Sequence, residues 1–142
     1  FIINQRKYSL FERSIEEDGC KSAAAKLGCG IIAFCPLAQG MLTDKYLHGI
    51  PEDSRIKRGS RFLHANDLTE ERLNKIRALN EIAADRGQSL AQMALSWVLK
   101  DDEITSVLIG ASKPEQIREN IKICNHTGFT KEELERIEKV CG

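Results

Sequence analysis

The sequence predicts an α/β fold built on parallel strands, and two observations lead there. Three short apolar runs, Phe1-Ile2-Ile3, Gly30-Ile31-Ile32-Ala33-Phe34-Cys35 and Ser106-Val107-Leu108-Ile109-Gly110, have the length and continuity of buried strands. Between and after them lie segments with helical periodicity and recognisable caps. Strands alternating with helices argue for a parallel sheet with helices outside it.

Each element has its own justification. The first run ends in the polar pair Asn4-Gln5, as a buried strand would end. Ser14 to Leu27 reads as one helix, with acid at Glu16, Glu17 and Asp18, the Ala23-Ala24-Ala25 run inside it, and Gly28 as a left-handed C-terminal cap. Pro36 stops the second strand. Residues 36–66 are rich in Gly, Pro, Asp and Arg and read as irregular, a length usually reserved for functional lids or disorder. Asp67 or Thr69 caps a helix carrying Leu73, Ile76, Leu79, Ile82 and Ala83 up to Gly87. Ser89-Leu90-Ala91-Gln92 is a capping box, and Leu90, Met93, Ala94, Trp97 and Val98 share one face of the helix it opens. Ser112-Lys113-Pro114-Glu115 is a second box, for a helix to about Cys124. A last helix opens at Thr130-Lys131-Glu132-Glu133.

Three strands cannot close a barrel or make a well-shielded open sheet, whereas a (β/α)8 barrel takes about 250 residues. The 142 residues therefore read as one segment, the end of a larger α/β protein. The opening Phe1-Ile2-Ile3, with no initiator Met, reads as a cut.

Composition removes several function classes. Hydrophobic content of 42% and charged content of 30% are globular values. The 21 basic and 21 acidic residues cancel, which argues against a nucleic-acid or membrane-surface binder. No apolar run approaches the ~20 residues of a membrane span. Five widely spaced cysteines with no C-x-x-C pair read as reduced thiols of a cytoplasmic protein. His48, His64 and His126 lack metal-ligand spacing, and G-x-S-x-G, G-x-G-x-x-G and P-loop motifs are missing.

Two segments carry chemistry. At Val107 to Asn120 a strand runs through Gly110-Ala111-Ser112 into a helix N-terminus. Backbone N–H groups, the Ser112 hydroxyl and the Lys113 cation meet there, a recipe for holding a phosphate or simply an ordinary capped helix. Phe34-Cys35-Pro36-Leu37-Ala38-Gln39-Gly40 leaves the C-terminal end of a strand, where barrels and open α/β sheets keep their active sites; taken alone it reads first as an ordinary strand exit with turn residues. Arg55, Lys57, Arg58 and Arg61 form a basic cluster that reads as solvated surface or an anion contact. Met93 and Trp97 read as core.

These segments carry a likeness. Asn4-Gln5 with Tyr8-Ser9-Leu10, Gly30 to Gly40, Thr43-Asp44-Lys45-Tyr46, Ser89 to Ala94 and Val107 to Asn120 resemble the C-terminal part of an aldo-keto reductase. The nearest branch is the bacterial one close to the potassium-channel β-subunits. The resemblance spans nearly the whole chain, and Gly110-Ala111-Ser112-Lys113 with Gln116, Glu119 and Asn120 is its most specific part. It implies strands six to eight of a TIM barrel with their helices, in an enzyme that reduces aldehydes and ketones with NADPH. By the same resemblance Gln5 would bond the nicotinamide carboxamide and Phe34 would stack on the nicotinamide ring. Cys35, Pro36, Leu37, Ala38 and Gln39 would wrap the pyrophosphate, with Lys45 as a neutralising cation. Gly110, Ser112, Lys113 and Gln116 would hold the 2′-phosphate, and Glu119 and Asn120 the adenine.

Two departures from the family pattern stand out. Cys35 occupies a position where the family usually has Ser, a thiol in place of a better hydrogen-bonding group. The family's catalytic Asp, Tyr, Lys and His have no counterparts here, so no catalytic residue is assigned, and neither Tyr8 nor Tyr46 is a proton donor. The resemblance thus implies partnership with an N-terminal half of the barrel and a small carbonyl substrate. Two alternatives stay open, an NADP-sensing regulatory subunit and a truncated inactive fragment. The open edges of three strands also invite association of copies.

Overall fold

The computed structural model describes residues 2–52, 54 and 56–142, so the expectations for Phe1 and Arg55 lie outside the described residues. Strand β1 (Ile3–Lys7) is followed by helices α1 (Ser14–Glu17) and α2 (Cys20–Leu27), then strand β2 (Gly30–Phe34). Helices α3 (Glu70–Asp85) and α4 (Leu90–Val98) lead to β3 (Ser106–Val107), and α5 (Pro114–Asn120) and α6 (Lys131–Cys141) complete the order. The sheet runs β1-β2-β3 with both pairs parallel, so each strand is joined to its neighbour through helices. That sequential order is the one a (β/α)8 barrel repeats.

Several boundaries differ from expectation, each for a physical reason. The first strand begins at Ile3, where the apolar run was expected to end, and continues through Asn4, Gln5, Arg6 and Lys7. Backbone pairing with β2 decides this, from Ile3 opposite Gly30 to Lys7 opposite Phe34. Its polar side chains are accommodated because one face bonds to the helical layer and the other is open. Asn4 Nδ2 donates to Cys20 Sγ at 3.2 Å and Arg6 pairs with Asp18, while Ile2 is 85% exposed. The expected single helix from Ser14 breaks at Asp18-Gly19, where Gly19 takes φ 76° and the Asp18 carboxylate accepts from the Cys20 N–H at 2.9 Å. The third strand is shorter and less buried than expected, with Ser106 and Leu108 exposed. It pairs only with β2 among the described residues, so it is an edge.

Other signals came through. Thr69, not Asp67, caps α3 by accepting from Arg72 N at 3.2 Å; Asp67 instead closes a short 3₁₀ turn on His64 N at 2.7 Å. Ser89 and Gln92 bond reciprocally at 3.2 and 3.0 Å ahead of α4, and Thr130 and Glu133 at 3.2 and 2.8 Å ahead of α6. Helix α4 buries Leu95 and Ser96 besides the predicted face, so it is a core helix rather than an amphipathic one. The 36–66 segment carries 3₁₀ turns at Ala38–Gly40 and Asp44–Tyr46, and Leu42, Tyr46, Ser54 and Leu63 fix it to the fold with almost no exposure.

The core lies between the helices and one face of the sheet. Tyr8, Ile15, Ile31, Ala33, Leu79, Met93, Trp97 and Ile104 belong to one buried cluster. Tyr8 is its polar centre. Its hydroxyl donates to Glu16 Oε1 and accepts from Lys100 Nζ at 3.0 Å, while its ring lies 5.2 Å from the Trp97 ring. Tyr8 N also donates to Phe34 O at 3.3 Å, tying the end of β1 to the end of β2.

Candidate functional site

The site is assembled at the C-terminal ends of the strands. Parallel partners point to the same side of a sheet, and side chains alternate along each strand. The register therefore sets Ile3, Gln5 and Lys7 on one face with Gly30, Ile32 and Phe34. Ile31 and Ala33 occupy the other face and are fully buried against the helices. Gln5 is exposed, and Phe34 is half-buried at the rim. Their common face is a product of pairing, since 29 positions separate them in the sequence (34 minus 5).

The exit from β2 is unusual in its backbone. Cys35, Ala38 and Gln39 adopt φ of 54°, 46° and 63°, and they are the non-glycine residues with positive φ among those described. Such residues cost of order 1–3 kcal/mol each and collect at ligand sites. Hydrogen bonds hold the turn: Ala38 N to Cys35 O at 3.0 Å, Gly40 N to Leu37 O at 2.8 Å and Leu42 N to Leu37 O at 3.2 Å. Gln39 Nε2 donates to Cys35 Sγ at 3.3 Å, so the Cys that replaces the family's Ser accepts a bond from its own loop. Pro36 and Ala38 are buried, and Leu37 packs against the core. Lys45 follows in an exposed 3₁₀ turn capped by Thr43 Oγ1, which accepts from Lys45 N at 3.3 Å.

The loop leaving β3 starts beside this exit, because Leu108 N donates to Ala33 O at 2.8 Å. Gly110, Ser112 and Lys113 are exposed. The capping arrangement differs from the expected box: Gln116 Oε1, rather than Glu115, accepts from Ser112 N at 2.8 Å, Ser112 Oγ at 3.2 Å and Lys113 N at 3.3 Å. Helix α5 is also shorter than expected, ending at Asn120 before a 3₁₀ stretch, Ile121–Asn125. Glu119 is exposed and paired with Lys122 at 2.7 Å, while its carbonyl accepts from Gln92 Nε2 at 2.9 Å. The Asn120 side chain is buried and makes no hydrogen bond among the described residues.

Sequence reasoning located these segments but missed two of their features. The left-handed backbone at Cys35, Ala38 and Gln39 has no composition signal, since glycine is the residue that would have announced it. The Tyr8–Glu16–Lys100 contacts join residues up to 92 positions apart and have no motif. Tyr8 and Tyr46 are both buried, at 0% and 1% exposed.

Comparison with known proteins adds the family. The aldo/keto reductase family model matches residues 1–141. The L-glyceraldehyde 3-phosphate reductase of Escherichia coli (strain K12) is 51% identical over 141 residues, covering 97% of this chain and 41% of that protein. A probable voltage-gated potassium channel subunit beta of Oryza sativa subsp. japonica is 37% identical, covering 98% of this chain and 43% of that one. A glycerol dehydrogenase from Gluconobacter oxydans superposes with a TM-score of 0.76 at 28% identity, over 97% of this chain and 41% of that structure. The holo form of an aldo-keto reductase from Bacillus halodurans superposes at 0.68 and 22% identity, a likeness of fold alone, over 100% of this chain and 43% of that structure. The chain thus spans about two-fifths of the length of the relatives it matches. With its sequential parallel strands, it belongs to the aldo/keto reductase family and has the fold of the C-terminal part of that family's (β/α)8 barrel.

Proposed function

We propose that this segment is the cofactor-holding part of an NADPH-dependent reductase of small aldehydes and ketones. The observation that carries the reading is the positive φ of three non-glycine residues, Cys35, Ala38 and Gln39, in the loop at the strand end that also carries Phe34. Backbone held in that conformation turns sharply and offers N–H groups to a bound anion.

The residues fit the cofactor. Gln5 has an exposed amide with no hydrogen bond among the described residues, suited to a carboxamide. Phe34 offers an aromatic face at the rim, suited to stacking. Cys35, Pro36, Leu37, Ala38 and Gln39 surround the pyrophosphate with backbone, and Lys45 contributes positive charge. Gly110, Ser112, Lys113 and Gln116 take the 2′-phosphate; Gln116 must then release or share the Ser112 and Lys113 N–H groups it now occupies. Glu119 flanks the adenine, and the Asn120 amide supplies it with a donor and an acceptor.

When bound, nicotinamide supplies the hydride for a carbonyl carbon. This segment binds and orients: Phe34 and Gln5 fix the ring, and the two loops fix the phosphates. Proton donation to the carbonyl oxygen belongs to residues outside it, because Tyr8 and Tyr46 are sealed in the core. The segment by itself therefore performs no reduction and requires the remainder of the barrel. The five free cysteines support a cytoplasmic setting, and the sheet edges support association of copies.

Titrating NADPH into the complete barrel and its Phe34→Ala variant tests the reading. Aromatic contacts contribute about 0.5–1.5 kcal/mol beyond burial, so NADPH binding should weaken up to about tenfold. An unchanged dissociation constant would reduce Phe34 to core. The likeness to channel β-subunits supports a second reading, an NADP sensor, which would bind NADPH without turning over any aldehyde.

A further inference from the structure

The face that carries Gln5 and Phe34 grades from apolar to charged along the strands. Ile3, Gly30 and Ile32 occupy its lower part, and Gln5, Phe34 and Lys7 its C-terminal end. Lys7 is the direct register partner of Phe34. Its neighbour Arg6 lies on the opposite face, engaged with Asp18. Lys7 itself is exposed, and its carboxylate partner, Glu12, stands 3.9 Å away, the outer limit of an ion pair, with both side chains open to water.

We propose that Lys7 is a specificity-determining residue that holds the phosphate of a phosphorylated aldehyde substrate. The proposal rests on the reading of Gln5 and Phe34 as the nicotinamide seat. On that reading Lys7 stands one strand spacing, about 4.8 Å, from Phe34 and two residues, about 6.6 Å, beyond Gln5. It is thus at the reacting end of the cofactor, on β1 rather than on the Gly110–Asn120 segment assigned to the adenosine phosphate. An anion met at the reacting end belongs to the substrate. A lysine ammonium is a compact point charge on a flexible stem and suits a tetrahedral phosphate. A relative 51% identical to this chain is a reductase of such a compound.

The test compares wild type, Lys7→Met and Lys7→Arg in the complete barrel. The readouts are kcat/KM for glyceraldehyde 3-phosphate against glyceraldehyde, the NADPH dissociation constant, and calorimetric binding of glycerol 3-phosphate to the NADP⁺ complex. For Lys7→Met the ratio of the two kcat/KM values should fall about tenfold to a hundredfold through KM, with glycerol 3-phosphate binding weakened to match. Lys7→Arg should restore most of both. An unchanged ratio, or unchanged glycerol 3-phosphate binding where turnover is too slow to measure, overturns the assignment. Weakened NADPH binding with the ratio preserved overturns it too, because Lys7 would then serve the cofactor's own phosphates. Failure of the wild type to bind NADPH at all would instead overturn the nicotinamide seat, and the proposal with it.

Discussion

Replacing Lys113 with Met in the complete barrel should separate NADPH from NADH. Lys113 is exposed, sits at the N-cap of α5 and forms no ion pair among the described residues. The backbone donors beside it are partly committed, since Gln116 Oε1 already accepts from Ser112 N at 2.8 Å and from Lys113 N at 3.3 Å. Discrimination of a 2′-phosphate therefore falls to the ammonium. A hydrogen bond to a charged group contributes about 1.5–3 kcal/mol, and exposure to water argues for the lower half of that range. At 1.4 kcal/mol per factor of ten, about 1.5–2 kcal/mol corresponds to a loss of roughly ten- to thirtyfold in NADPH affinity. NADH, which lacks the phosphate, should move less than twofold. Fluorescence titration with both cofactors measures this directly. Equal losses for the two would refute the assignment, and so would an NADPH constant that does not change.

Further outcomes follow from the packing. The Arg86 side chain is 2% exposed, pairs with Glu133, donates to Gln88 Oε1 at 2.9 Å and Gly128 O at 3.0 Å, and stacks 3.7 Å over Phe129. Arg86→Met should cost about 1–3 kcal/mol by removing the partner of Glu133 and of Gly128 O, with Glu133→Gln restoring part of it, read by urea denaturation of the complete barrel. Burial pushes the Glu16 carboxyl up, but hydrogen bonds from Tyr8 and Arg13 and the charges of Arg13 and Lys100 outweigh it and hold it below the usual range. A depressed carboxylate contributes stability above its unfolded value and loses it as pH falls. Melting temperature should therefore drop on acidification below about pH 4.5, and Glu16→Gln should flatten that drop. Burial pushes the Cys141 thiol up to about 11, whereas Cys124 is exposed. Maleimide at pH 7.5 should label Cys124 well before Cys141 in the folded protein, as peptide mass mapping would show.

The sequence by itself determined the alternation of strands and helices, the caps at Ser89 and Thr130, and the two segments to which the proposed site is assigned. These are local matters: periodicity, a hydroxyl followed three residues later by a carboxyl or amide, an apolar run stopped by proline. Tertiary structure alone decided the rest. Polar Asn4-Gln5-Arg6-Lys7 became a strand because backbone pairing with β2, from Ile3 opposite Gly30 to Lys7 opposite Phe34, outweighs propensity. The helix expected from Ser14 to Leu27 broke at Gly19 because Arg6 and the Cys20 N–H both draw on Asp18. The left-handed turn at Cys35, Ala38 and Gln39 exists because buried Pro36 and Ala38 and the bonds of the loop hold backbone that those residues would not choose alone. Gln5, Lys7 and Phe34 share a face only because two strands lie in one register, a relation set by long-range packing that no reading of neighbours along the chain contains.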